Sequence, residues 1–153
     1  MKKIIAIAMT LILVCCCAAF AESAETAPFE PVAGVTVQIP VNLTRIEGTN
    51  YTYAFYDGTT QLAIQVTTDH AYTEMTAQFQ SMKDAGNIAT LETAEINGRE
   101  FTFADSGESA YPGALACTEL DDGTVLTFVV YGNSDMAENV AVARAAAESM
   151  TIA

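Results

Sequence analysis

Three short turn signals limit what this chain can fold into. Asp57-Gly58, Asn97-Gly98 and Asp121-Asp122-Gly123 each stand between runs in which apolar residues alternate with polar or small ones. Asn or Asp followed by Gly between such runs is a strong hairpin signal, because these residues accept the positive φ that tight turns need. A chain with three hairpins builds an antiparallel sheet and then has to cover at least one of its faces.

The runs themselves assign the faces. In "GVTVQIP", Val35, Val37 and Ile39 fall on one side and Thr36 and Gln38 on the other. In "YTYAFYDGTTQLAIQV", antiparallel pairing puts Tyr51, Tyr53 and Phe55 on the face of Leu62, Ile64 and Val66, whether the loop holds two residues or four. That face is expected to be core. Thr52, Ala54, Tyr56, Gln61, Ala63 and Gln65 are expected to meet solvent or a light covering layer. "TAEINGREFTFAD" turns at Asn97-Gly98 and sets Phe101 and Phe103 on a shared face. "GALACTELDDGTVLTFVVYG" is the third hairpin, and two registers remain open for it. A two-residue turn and a three-residue turn with a glycine bulge send different residues inward.

Two helices interrupt the strands. Tyr72, Met75, Phe79 and Met82 follow at spacings of three, four and three, an apolar stripe that Gly86 is placed to end. In "NSDMAENVAVARAAAESM", Ser134 or Asp135 caps a helix whose buried stripe is Met136, Val140, Ala143, Ala147 and Met150. The closing "TIA" offers a short strand. Together these patterns predict an α+β domain over residues 34–153, a largely antiparallel sheet of hairpins with two packed helices. Val37, Tyr53, Ile64, Phe79, Phe103, Phe128 and Val140 are expected in one core.

The leading residues read as an export signal. "MKK" is a positive start, "IIAIAMTLILV" an apolar run and Ala19-Phe20-Ala21 a small-x-small site, the three parts of a secretory signal peptide over residues 1–21. The mature chain then starts at Glu22 and is secreted or held at the cell envelope. Two other readings rank lower. Ile4 to Ala21 barely reaches the length of an uncleaved membrane anchor. "LVCC" offers Cys16 as a lipid acceptor, although Cys15 directly before it fits that role poorly. Residues 22–33, acidic, alanine-rich and carrying Pro28 and Pro31, are expected to form a flexible lead-in.

Six cations against nineteen acids give the whole chain a net charge of −13. Removal of residues 1–21 takes Lys2 and Lys3 and no acid, so the mature charge is −15. Without cations to neutralise phosphate, nucleic acid and anionic lipid surfaces are excluded as partners. Membrane association requires a retained or lipidated leader. Cleavage also removes Cys15, Cys16 and Cys17, leaving Cys117 in a strand-like stretch, where it reads as a small buried hydrophobe.

Candidate chemistry is sparse. "DSGESAYPG" places Ser106 and Ser109 near Asp105 and Glu108, yet Gly107-Glu108-Ser109-Ala110-Tyr111 lacks the second glycine of a nucleophile elbow. His70 is the one histidine that could serve as a base, and nothing in the sequence brings it to either serine. One histidine and one strand cysteine make no zinc set. Asp121-Asp122-Gly123 lacks the alternating carboxylates of a calcium loop and is explained by a turn. Asp105 with Glu108 is a carboxylate pair of the kind that nineteen acids produce by chance. No catalytic, cofactor-binding or metal-binding residue is assigned.

The succession "FEPVAGVTVQIP", a strand pair, a helix, "AEINGREFTFAD", a long hairpin and a final helix ending in "AAAESMTI" resembles the PsbP-like fold, an α/β/α sandwich also seen in the nuclear-transport factor Mog. The resemblance spans Phe29 to Ile152. It implies a compact non-catalytic domain, often exported in bacteria, without cofactor, that binds a protein or envelope component. The first expectation is thus a non-catalytic exported binding or assembly module. The alternative is a carrier of a small apolar molecule, with Tyr51, Tyr53, Phe101 and Phe103 lining a pocket between sheet and helices.

Protein recovered from the culture medium is expected to begin at Glu22. Intact mass measures this directly, and a species starting at Cys16 and carrying lipid would contradict it.

Overall fold

The structure, a computed structural model, describes residues 25–107, 113–132 and 135–153. The export signal over 1–21, Glu108, Ser109 and Ser134 therefore lie outside the described residues. Ten strands and two helices follow in order: β1 (Thr26–Val32), β2 (Val35–Pro40), β3 (Thr44–Ile46), β4 (Tyr53–Tyr56), β5 (Gln61–Thr67), α1 (Tyr72–Asp84), β6 (Thr90–Ile96), β7 (Arg99–Asp105), β8 (Gly113–Glu119), β9 (Val125–Tyr131), α2 (Met136–Glu148) and β10 (Thr151–Ile152). They form a seven-stranded sheet in the order β3-β4-β5-β9-β8-β7-β6 and a three-stranded sheet in the order β1-β2-β10. Every pairing is antiparallel. The fold class is α+β, as the turn signals require.

The turns set the register. Asn97 at φ 54° and Gly98 at φ 76° close Ile96 onto Arg99, the two positive φ values of a type I′ turn. At the third hairpin the three-residue alternative is the one found. Leu120 donates to the Thr124 carbonyl at 2.8 Å, Gly123 donates back to the Leu120 carbonyl at 3.0 Å, and Gly123 takes φ 84°. This is a type I turn with a glycine bulge. It sends Leu126, Phe128 and Val130 to one face and Val125, Thr127 and Val129 to the other. Tyr56↔Gln61 closes the first hairpin over a four-residue loop.

Directly opposed residues share a face, so the large sheet has two well-defined sides. On the first, Phe55, Leu62, Ile64, Phe101, Phe103, Phe128 and Val130 meet Val35, Val37 and Ile39 of the small sheet and Ala143, Ala146, Ala147 and Met150 around α2. On the second, Tyr72 of α1 packs with Cys117 and Val125, flanked by Met75, Phe79 and Leu115. The layers run α1, large sheet, then α2 beside the small sheet. Phe79 therefore stands across the sheet from Phe128, and the expectation of one shared core is corrected to two clusters.

Other expectations also shift. Met82, placed in the α1 stripe, is 37 % exposed, because the stripe outruns the sheet surface beneath it. On the side expected to meet solvent or a light covering layer, Ala54 and Ala63 are covered and fully buried. The flexible lead-in of 22–33 is corrected from Thr26 onward: Thr26 to Phe29 pair with Pro40 to Val37. Both prolines fit because β1 is an edge strand and Pro31 sits where the register shifts between Phe29 and Val32. α1 ends as Gly86 predicts, with Gly86 donating to Lys83 and Asn87 to Met82, the bond pair of a Schellman cap. Asp135 caps α2 by accepting from the Ala137 amide at 2.9 Å. Asn139, assigned no place by the apolar stripe, is fully buried in α2. β10 pairs with β2, and the Ala153 amide donates to the Gly34 carbonyl at 2.8 Å.

Phe128→Ala is expected to cost about 3–5 kcal/mol in chemical denaturation. Phe79→Ala, at a half-buried position, is expected to cost less than about 2 kcal/mol. Equal losses would place both rings in one core.

Candidate functional site

The described residues among those singled out for chemistry, His70, Asp105 and Ser106, are each engaged in local contacts. His70 lies ahead of α1, largely exposed, with Nδ1 3.8 Å from the Glu74 carboxylate. Ser106 closes a loop: its amide donates to the Gly113 carbonyl at 2.9 Å and its hydroxyl accepts from the Gly113 amide at 3.0 Å. Asp105 accepts from the Gly107 amide at 2.8 Å. Among the described residues no group of three or more histidines, cysteines or carboxylates could hold a metal ion. Asp57 and Asp122 are turn-forming instead. Asp57 Oδ1 accepts from the Thr60 and Thr59 amides and the Thr59 hydroxyl, which hold its carboxyl below the usual range. The Thr124 amide and hydroxyl do the same to Asp122.

The four aromatics expected around a carrier pocket are separated. Tyr53 meets Phe29 edge-on at 4.9 Å, with the Arg45 guanidinium 5.3 Å from its ring centre. Phe101 and Phe103 stack at 6.1 Å and are buried, presenting almost no surface to a ligand. Tyr51 bonds to Tyr131 on the opposite side of the sheet, hydroxyl to hydroxyl at 2.8 Å.

Surface grooves are open elsewhere among the described residues. One, of about 200 Å³, lies between α2 and β6 to β8 over Phe103, Ala114 and Val140. Two of its lining residues are engaged by Arg144, which stacks 4.4 Å over the Phe103 ring and bonds to Glu92. A second, of about 510 Å³, is a wedge between the Asn97-Gly98 turn, Asp121 and the residues after α2. Arg99 ties that wedge shut on one side by bonding to Asp121 and to the Glu119 carbonyl.

The third groove is the candidate site. Its floor is the second face of the sheet, the row Ala104-Leu115-Val129 and the cross-strand pair Gly113↔Tyr131. Its walls are Phe79 and Met82 from the end of α1 with Asn87 and Ile88 from the turn after it. The groove exists because α1 covers only part of this face. A Cβ at Gly113 would sit 3.0 Å from the Tyr131 ring, so glycine lets the ring lie over its cross-strand neighbour. Tyr131 and Met82 remain 38 % and 37 % exposed, and Tyr56, on the same face, 40 %. Burial and the bond to Tyr131 raise the Tyr51 hydroxyl well above the ordinary tyrosine range. Apolar and aromatic surface left open beside hydroxyls suits recognition better than catalysis. The sequence signal that could have marked it is the excess of the α1 stripe over the surface it covers.

Below this groove Cys117 is wholly buried and its thiol is pushed up to about 11, chiefly by burial. Tyr72 shifts in the same direction for the same reason, with its hydroxyl 2.7 Å from Thr102. Acids whose folded pKa lies above the unfolded value stabilise the fold fully below the unfolded pKa and lose that contribution as pH rises toward the folded one. The melting temperature is therefore expected to fall between pH 9.0, the ordinary thiol value, and about 11. Thermal melts across this window, with Cys117→Ala falling less steeply than the parent chain, check it.

Comparison with known proteins bears on the fold alone. No protein family matches the chain. No curated protein matches it either. A solution structure of cyanobacterial PsbP (CyanoP) from Synechocystis sp. PCC 6803 is similar, with a TM-score of 0.60 and 13 % sequence identity over 87 % of this chain and 95 % of that one. The fold is PsbP-like, as the element order implies.

Proposed function

We propose that this chain is an exported, non-catalytic binding or assembly module that engages a protein or envelope component. The observation carrying the reading is the groove on the second sheet face, open and aromatic, on a PsbP-like scaffold whose other face carries the main core. The engagement of His70 with Glu74, and of Asp105 and Ser106 with the Gly107 and Gly113 amides, supports a non-catalytic reading. Export is supported by the three-part leader. Among the described residues no helix is long and apolar enough to cross a membrane.

The carrier reading has less support. Drug-sized ligands occupy pockets of roughly 300–1,000 Å³ lined by apolar and aromatic residues. The groove with the apolar floor measures about 160 Å³. The wedge that is large enough borders Phe101, whose ring is fully buried.

Chemical cross-linking of the exported protein in its own cells, with native mass spectrometry of the purified mature chain, tests the reading. A discrete heteromeric adduct and a ligand-free mature mass are expected. A stoichiometric apolar molecule that co-purifies with the monomer would overturn it in favour of the carrier.

A further inference from the structure

We propose that the groove between α1 and the second sheet face docks a cationic segment of a partner protein, one bulky apolar side chain entering the groove and flanking lysines or arginines meeting the acidic surface. The proposal rests on the binding-module reading and names the chemistry of its partner.

Charge argues first. The arginines are each committed to a carboxylate of this chain: Arg45 is 3.3 Å from Glu47, Arg99 is 2.6 Å from Asp121, and Arg144 is bonded to Glu92. Lys83 is the remaining cation among the described residues, and it projects about 100° around the helix from Met82. The charged member of the groove lining is Asp105. Asp57 stands at the same end of the sheet, on the loop whose Thr59 carbonyl abuts Gly132, the residue after Tyr131. Its amide bonds keep it ionised. Carboxylates without matching cations favour a positively charged partner and repel a negative one. A second copy of this chain brings the same excess of acid, and anionic lipid or nucleic acid brings more, so all three are disfavoured occupants.

Size argues next. The groove's volume of about 160 Å³ is close to the roughly 150 Å³ of an apolar cavity that takes up one benzene. It holds one phenyl or leucine side chain and little more. Leu115, Val129, Phe79 and Met82 give that side chain apolar contacts, while Tyr131, its hydroxyl bonded to Tyr51, supplies an aromatic rim. Tyrosine and methionine around a small pocket are residue types that serve as anchors in protein interfaces.

Three probe peptides test the proposal on the mature chain by amide NMR titration: Lys-Lys-Phe-Lys-Lys, Lys-Lys-Ala-Lys-Lys and Glu-Glu-Phe-Glu-Glu. The first is expected to shift the resonances of Ile88, Leu115, Val129 and Tyr131 in a saturable way, the second to bind about tenfold more weakly, and the third not to bind. Met82→Asp separates an anchored mode from simple charge attraction, since it adds an acid while removing an apolar wall at an exposed site. Anchored docking predicts weaker binding of the phenylalanine peptide; charge attraction alone predicts tighter binding. Equal affinity for the first two peptides, tighter binding by Met82→Asp, or shifts elsewhere on the molecule would overturn the proposal. So would a neutral glycan oligomer that shifts these residues when no peptide does. Failure of every peptide, with the cross-linked adduct still present, removes the cationic anchor and leaves the module reading standing; loss of the adduct as well removes both.

Discussion

The architecture depends on the seam between β5 and β9. Seven residue pairs, from Gln61↔Tyr131 to Thr67↔Val125, join a three-stranded ribbon formed early in the chain to a four-stranded meander formed late. Every other pairing in the large sheet is between strands consecutive in sequence. Ile64 opposite Phe128 at the seam's centre is fully buried on the side facing the small sheet and α2. Without this seam there are two separate ribbons, of three and four strands. With it, one sheet is wide enough to carry cover on both sides.

The two covers of the sheet are unequal. α2 and the small sheet cover the first face, locked by such details as the Ser149 hydroxyl accepting from the Gln38 amide. Among the described residues α1 is the one helix on the second face, crossing from the centre of the sheet to its far edge so that β6 can begin. A single helix cannot cover seven strands. The area left open gathers residues distant in sequence, Met82, Ile88, Leu115 and Tyr131, into one place.

How far the sequence discloses this follows from the range of each signal. Turn chemistry acts over four or five residues, so Asn97-Gly98 and Gly123 announce their hairpins locally and the structure keeps them. Alternation tells which side chains share a face, and Phe55, Leu62 and Ile64 do. It does not tell which layer comes to lie on that face, which is why Phe79 and Phe128 read as neighbours and stand on opposite sides of the sheet. Thr26 to Val32 hid its strand behind two prolines, since an edge strand needs donors on one side only. The groove was the least legible feature, being a deficit of cover rather than a pattern of residues. Nor does periodicity account for Asn139, a buried polar side chain within an apolar helical stripe.

The seam also sets an order of events in time. Ile64 is synthesised 64 residues before the Phe128 it pairs with, and α1 and three strands intervene. Contacts so far apart close late and slowly, because the entropy of ordering the intervening loop is spent before the pairing returns anything. Until β9 arrives, the inner edge of β5 carries Leu62, Ile64 and Val66 beside unpaired backbone groups, the makings of an adhesive strand. The chain's surplus of negative charge, a burden on the finished fold, keeps half-folded copies apart while the sheet waits for its central strand.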